Sequence, residues 1–175
     1  MMRRLLKSFG YAFRGIGFCI VHERNMRIHL TAVCYVLAFS LFFPLSRGEY
    51  AVLFLCFGLV TALEAVNTAV ENAVDLSSPT RHPLARIAKD AAAGAVLLAA
   101  LTAVGVAVFL FARPEGFRNL SAFFAAFPWA VIPLAAITAL FILFIFRGPL
   151  KMFHLSSFSK KDRSNGLSPR RGRLD

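Results

Sequence analysis

The sequence predicts an all-α integral membrane protein: an N-terminal amphipathic surface helix, a bundle of three spans, and an additional fourth transmembrane helix. Three observations predict it. Hydrophobic residues make up 58% of the 175 and mean hydropathy is +0.65, well above soluble domains, which are about half apolar. The apolar residues gather into stretches long enough to cross a bilayer. The 20 Lys and Arg fall in short clusters between those stretches. Placing the N-terminus, the segment 76–89 and the C-terminal tail on one side puts all but Arg47, Arg113 and Arg118 there. That is the positive-inside pattern, with both termini cytoplasmic.

Residues 2–22 carry Phe9, Phe13, Ile16 and Ile20 on one helical face and Arg3, Arg4, Lys7 and Arg14 elsewhere. Such a helix is expected to lie on the membrane, not cross it. Gly10, Gly15 and Gly17 could let backbone approach a ligand. A secretory h-region and cleavage site are missing, because charged residues continue to Arg27. The first span is expected over Ile28 to Phe43, ending at Pro44, and the second begins near Tyr50 after the turn Leu45 to Glu49. Pro79 and Pro83 mark a loop before the third span, Leu84 to Phe111, whose run Ala91 to Ala95 is small enough for close helix packing. Residues 112–126 read as a loop, Phe127 to Phe146 as the fourth span, and residues 151–175 as a basic tail expected to be disordered. The chain thus divides into units at 1–112, 113–150 and 151–175.

The net charge of +11 suits cytoplasmic loops and anionic lipid better than nucleic acid. Cys19, Cys34 and Cys56 have no paired spacing and read as packing residues. No GxxxxGK[ST] loop, strand-borne GxGxxG, HExxH or GxSxG pattern occurs.

Polar chemistry concentrates on the second span. Glu64, Asn67, Glu71 and Asp75 stand on one face of a helix that the apolar run from Tyr50 to Leu63 feeds. Carboxylates near a bilayer core cost a few kcal/mol, so they must face protein, metal or water. Under the predicted topology this face meets Glu23, Arg4, Arg81, Lys89 and Asp90 at one membrane surface. Carboxylates that hold Mg²⁺ one or two at a time, beside cations that neutralise phosphates, suit a nucleoside triphosphate. Glu64 lies deepest and could deprotonate a lipid alcohol. It could instead be a packing acid satisfied by a neighbouring helix. A proton-coupled transporter subunit would also keep acids in the membrane, and a structural scaffold would explain the spans but not the acidic face.

Glu64-Ala-Val-Asn67-Thr-Ala-Val-Glu71-Asn-Ala-Val-Asp75, followed by Ala88-Lys89-Asp90-Ala-Ala-Ala-Gly94, resembles the small prokaryotic diacylglycerol kinase family over residues 3–112. Arg27-Ile28-His29 and the Ser78 to Pro83 loop resemble its undecaprenol kinases of Gram-positive type. The resemblance implies a homotrimer in the bacterial inner membrane, with active sites shared between chains at the cytoplasmic face. It implies transfer of phosphate from ATP, with Mg²⁺, to undecaprenol or, alternatively, diacylglycerol. Glu64 matches the general base, and Asn67 an essential polar residue beside it. Glu23 and Glu71 match metal-linked carboxylates that also contact ATP. Arg4, Tyr11, Thr80, Arg81, His82, Lys89 and Asp90 match nucleotide contacts. Family members usually end soon after the third span, so the fourth span and tail are extra.

Overall fold

The computed structural model describes residues 2–78 and 82–153, and among them there is no strand. The helices are α1 (Met2–His22), α2 (Arg24–Ser40), α3 (Arg47–Ser77), α4 (Pro83–Phe111), α5 (Pro114–Ala126) and α6 (Val131–Phe153). A short 3₁₀ turn, Pro128–Ala130, precedes α6. Among the described residues three helices are long and apolar enough to cross a membrane: α3, α4 and Pro128–Pro149. The chain is an all-α membrane protein.

The first expected span differs. Its helix is α2, which starts at Arg24 and stops at Ser40, so 17 residues give about 25 Å of length. It is not among the three helices above. The cause is at both ends: Arg24 and Arg27 occupy the first turns, and Leu41 to Phe43 tighten into i→i−3 bonds before Pro44.

α3 and α4 form an antiparallel hairpin and pack against each other most extensively, with α2 beside α3. α3 starts inside the expected turn because Ser46 and Glu49 form a reciprocal capping box: Ser46 Oγ accepts from the Glu49 amide, and Glu49 Oε2 accepts from the Ser46 amide at 2.7 Å. At 31 residues it is about 46 Å long, against about 30 Å of hydrocarbon. It is therefore longer than the hydrocarbon core, and the acidic face occupies its C-terminal half from Glu64 on. His82 caps α4, its Nδ1 accepting from the Leu84 amide at 3.2 Å, with Pro83 in the first turn.

Residues 112–126 are not the expected loop. α5 fills most of them, starting at Pro114 and folding back over the α2–α3 turn. Asn119 Nδ2 donates to the Phe42 carbonyl, and Arg113 donates to the Pro44 carbonyl and pairs with Glu49. Gly116 lies on Phe43, where any Cβ would overlap the ring. Phe43 in turn meets Phe111 and Phe117 edge-on, at 4.9 Å and 5.4 Å between centroids. These contacts give a helix containing Pro and Gly its place.

α6 runs past Phe146 to Phe153 with a break at Gly148, φ 69° and ψ 162°. It packs mainly on α2 and α1. Tyr35 Oη donates to Thr138 Oγ1 at 2.7 Å across the α2–α6 contact. Gly10, Gly15 and Gly17 approach nothing, since a Cβ on any of them would meet open space. Residues 154–175 of the basic tail lie outside the described residues.

Candidate functional site

Glu64 is buried deep in the fold, with 1% of its surface exposed. Among the described residues no donor reaches its carboxylate. Thr68 Oγ1 bonds only the Glu64 backbone carbonyl, at 3.0 Å. Glu23 and Glu71 stand close enough for their charges to act on it. Asn67, also buried, donates Nδ2 to Glu71 Oε1 at 3.0 Å, and its own Oδ1 is buried without a partner. A buried polar atom left unpaired costs on the order of 1–3 kcal/mol, and native folds rarely keep several together without a use. The sequence pattern on α3 is thus one continuous polar stripe that the fold buries at its deep end and leaves short of partners.

Glu23 joins this stripe from a corner. The chain leaves α1 at His22 and enters α2 at Arg24, and Glu23 between them is extended, φ −96° and ψ 120°. Its side chain caps nothing. An acid at a helix break is held by backbone on both sides while its carboxylate stays available.

Beyond Asp75 the ends of the hairpin part into an open cleft of about 780 Å³, lined by Asp75, His82, Arg86, Lys89 and Asp90 among others. Lys89 Nζ pairs with Asp75 Oδ1, and Arg86 Nε stands 3.6 Å from Asp90 Oδ2. The cleft therefore holds matched opposite charges that a charged ligand can exchange for its own. His82 reaches the cleft with one ring nitrogen committed to the α4 cap. Arg4 and Tyr11 stand on the exposed part of α1, Tyr11 beneath the Arg14 guanidinium at 4.8 Å, and no described contact ties either to Glu64 or the cleft. Thr80 and Arg81 lie outside the described residues.

Two residues beyond those expected from the sequence stand with the site. Thr68 is 3% exposed beside Glu64, and its place four residues on was the available signal. Arg86 lines the cleft, signalled by its i,i+4 spacing to Asp90. Among the described residues no group of three or more His, Cys, Asp or Glu is placed to hold a metal by protein ligands alone.

A buried acid with no donor, an amide with one orphaned oxygen and an ionic cleft further along the same helix are the polar features gathered at this end of the fold. The family model of prokaryotic diacylglycerol kinase matches residues 10–111. Undecaprenol kinase of Bacillus subtilis is 43% identical over 111 residues, covering 62% of this chain and 90% of that one. Diacylglycerol kinase of Synechocystis is 48% identical over 112 residues, 63% of each chain. That of Pseudomonas aeruginosa is 35% identical over 107 residues, 60% of this chain and 85% of its own. No solved structure matches the chain. The chain belongs to the prokaryotic diacylglycerol kinase family and is a lipid kinase. Membership sets aside the transporter and scaffold readings. The matched segment ends at the close of α4, so α5 and α6 stand outside it.

Proposed function

We propose that the chain transfers the γ-phosphate of magnesium-ATP to a membrane-embedded lipid alcohol, with undecaprenol as that alcohol. The observation that carries this reading is Glu64, 1% exposed, within the apolar helix α3 and without a hydrogen-bond donor among the described residues. Glu64 accepts the hydroxyl proton while the alcohol oxygen bonds to the γ-phosphorus. The bond from that phosphorus to the bridging oxygen breaks, and ADP leaves. Asn67 and Thr68 hold the α3 face on which this happens.

Along the α3 axis Glu71 lies about 10 Å from Glu64 and Asp75 about 16 Å, at 1.5 Å per residue. This order would set the lipid hydroxyl at Glu64, phosphates at Glu71 and the nucleoside end in the cleft with Lys89, Asp90 and His82. Arg4, Tyr11, Thr80 and Arg81 complete the nucleotide contacts by resemblance. The donor set fits a nucleotide-bound hard cation: Asn67 Oδ1 is an orphaned oxygen, Glu71 engages one oxygen on Asn67, and Glu23 caps nothing. Bound magnesium supplies charge that neutralises the phosphates, and Glu23 and Glu71 are the residues that would hold it.

A groove of about 170 Å³ between α2, α3 and α4, lined by Leu53, Phe57, Val60 and Ala103 among others, ends one turn short of Glu64. It suits the apolar chain of a lipid alcohol. Residues 1–112 form the kinase unit, 113–150 the added loop and span, and 151–175 the tail. The site faces the cytoplasm at the inner membrane and is shared between subunits of a homotrimer, an arrangement supported by the charge clusters at one end and by partnerless Glu64.

A second reading, diacylglycerol as acceptor, draws on the 48% identity to the Synechocystis enzyme. The test is transfer of radiolabelled γ-phosphate to each lipid side by side in mixed micelles. Faster transfer to undecaprenol is expected. Equal or faster transfer to diacylglycerol would favour the second reading, and transfer to neither would contradict both.

A further inference from the structure

Arg27 is a buried cation with no carboxylate partner among the described residues. Three backbone carbonyls hold it instead. Nη1 donates to Ile20 O at 3.1 Å and Val21 O at 2.8 Å, and Nε donates to Ile145 O at 3.1 Å. Ile20 and Val21 belong to the last turn of α1, whose carbonyls have no helical partner once the chain breaks at Glu23. Ile145 O is free for a different reason. The residue four positions on is Pro149, which has no N–H, and Gly148 has already left helical geometry. A side chain at Gly148 would come within 3.4 Å of Arg27 Nη1. Arg27 thus sits between the negative ends of two helices. Arg24, one turn away, lies over the Phe146 ring at 4.5 Å and doubles the junction.

The sequence offers Arg27 another partner. Glu23, the N-cap residue of the same helix, precedes it by four residues and is the nearest acid in the sequence. The guanidinium bonds the carbonyls of α1 and α6 instead.

We propose that Arg27 is a positioning residue of the kinase site: the end of α6 holds it away from Glu23, so that Glu23 stays available to the metal-bound nucleotide. The added helix is then part of the catalytic device, not only an anchor. This rests on the reading of Glu23 as a metal-linked carboxylate.

The test uses the full chain and leaves the nucleotide-binding residues untouched. Gly148→Ala/Pro149→Ala restores an N–H to Ile145 O and removes the positive-φ break. In that double variant Arg27 loses its α6 anchor, keeps only the two α1 carbonyls and can turn to Glu23. The apparent affinity for Mn²⁺ with a non-hydrolysable ATP analogue, read by calorimetry, falls about fivefold or more. KM for magnesium-ATP rises in step, while KM for the lipid and kcat stay within about twofold. Hydrogen exchange across residues 19–27 quickens in the metal-free protein. Adding Arg27→Gln to the double variant removes the competing charge and restores nucleotide affinity.

A purely structural junction predicts the opposite, a further loss on adding Arg27→Gln, and that result would overturn the proposal. Glu23→Gln separates the two readings. If it weakens nucleotide binding while the double variant does not, the coupling through α6 is wrong and Glu23 keeps its role. If Glu23→Gln leaves binding unchanged, both fall.

Discussion

The two ends of the bundle are built from similar residue types and treat them in opposite ways. At the end capped by α5, polar groups are matched: Glu49 serves the capping box and pairs with Arg113, and Asn119 and Arg113 take up the Phe42 and Pro44 carbonyls. At the other end Glu64, Glu23 and Asn67 Oδ1 are left short of partners although Glu64 and Asn67 are buried. One end holds a chain turn; the other is the end that we propose takes the ligand. An unpaired group in a low-dielectric site is costly to the fold and valuable to chemistry for the same reason.

Substitutions should therefore separate stability from activity according to the end they strike. The largest separation is expected for Glu64→Leu, which removes the unpartnered acid: phosphate transfer drops roughly 10²–10⁴-fold while the thermal midpoint in detergent holds or rises. A fall in midpoint with activity retained would break the contrast. Glu71→Gln should raise the magnesium-ATP concentration needed for half-maximal rate about 10–100-fold, with little change in unfolding, as titration of rate against nucleotide will show. At the opposite end Gly116→Leu forces a side chain into the Phe43 ring and should cost about 1–3 kcal/mol of stability, measured by denaturant unfolding, with KM for nucleotide unchanged. Ser46→Ala removes the α3 cap and should cost about 1 kcal/mol by the same measurement.

How far each end could be read from sequence follows the range of its contacts. The polar stripe from Glu64 to Asp75 is local, set by helical spacing alone, and the structure places it on one helix with Glu64 and Asn67 buried. Lys89 and Asp90 were legible too, since a charged opening to an apolar helix marks a membrane border. What they pair with was not, because Asp75 lies across the hairpin and Arg86, not Lys89, meets Asp90. α5 lies in residues 112–126, which read as a loop, and what holds it as a helix is distant: Phe43 and Phe42, far back in the chain. The α2 boundary moved toward the N-terminus because Arg24 and Arg27 read as interfacial charges, whereas the fold buries Arg27 against α1 and α6. The Arg27 contact to Ile145 joins residues 118 apart and leaves no pattern in either neighbourhood.

The central claim, that Glu64 takes the proton of the lipid alcohol, is tested most directly by single-turnover transfer of radiolabelled γ-phosphate in micelles, comparing wild type with Glu64→Gln. Glutamine keeps the shape and cannot accept the proton. The account predicts that the variant stays folded, binds magnesium-ATP as wild type does, and transfers its label at least about a hundredfold more slowly. Transfer by Glu64→Gln at the wild-type rate would contradict it.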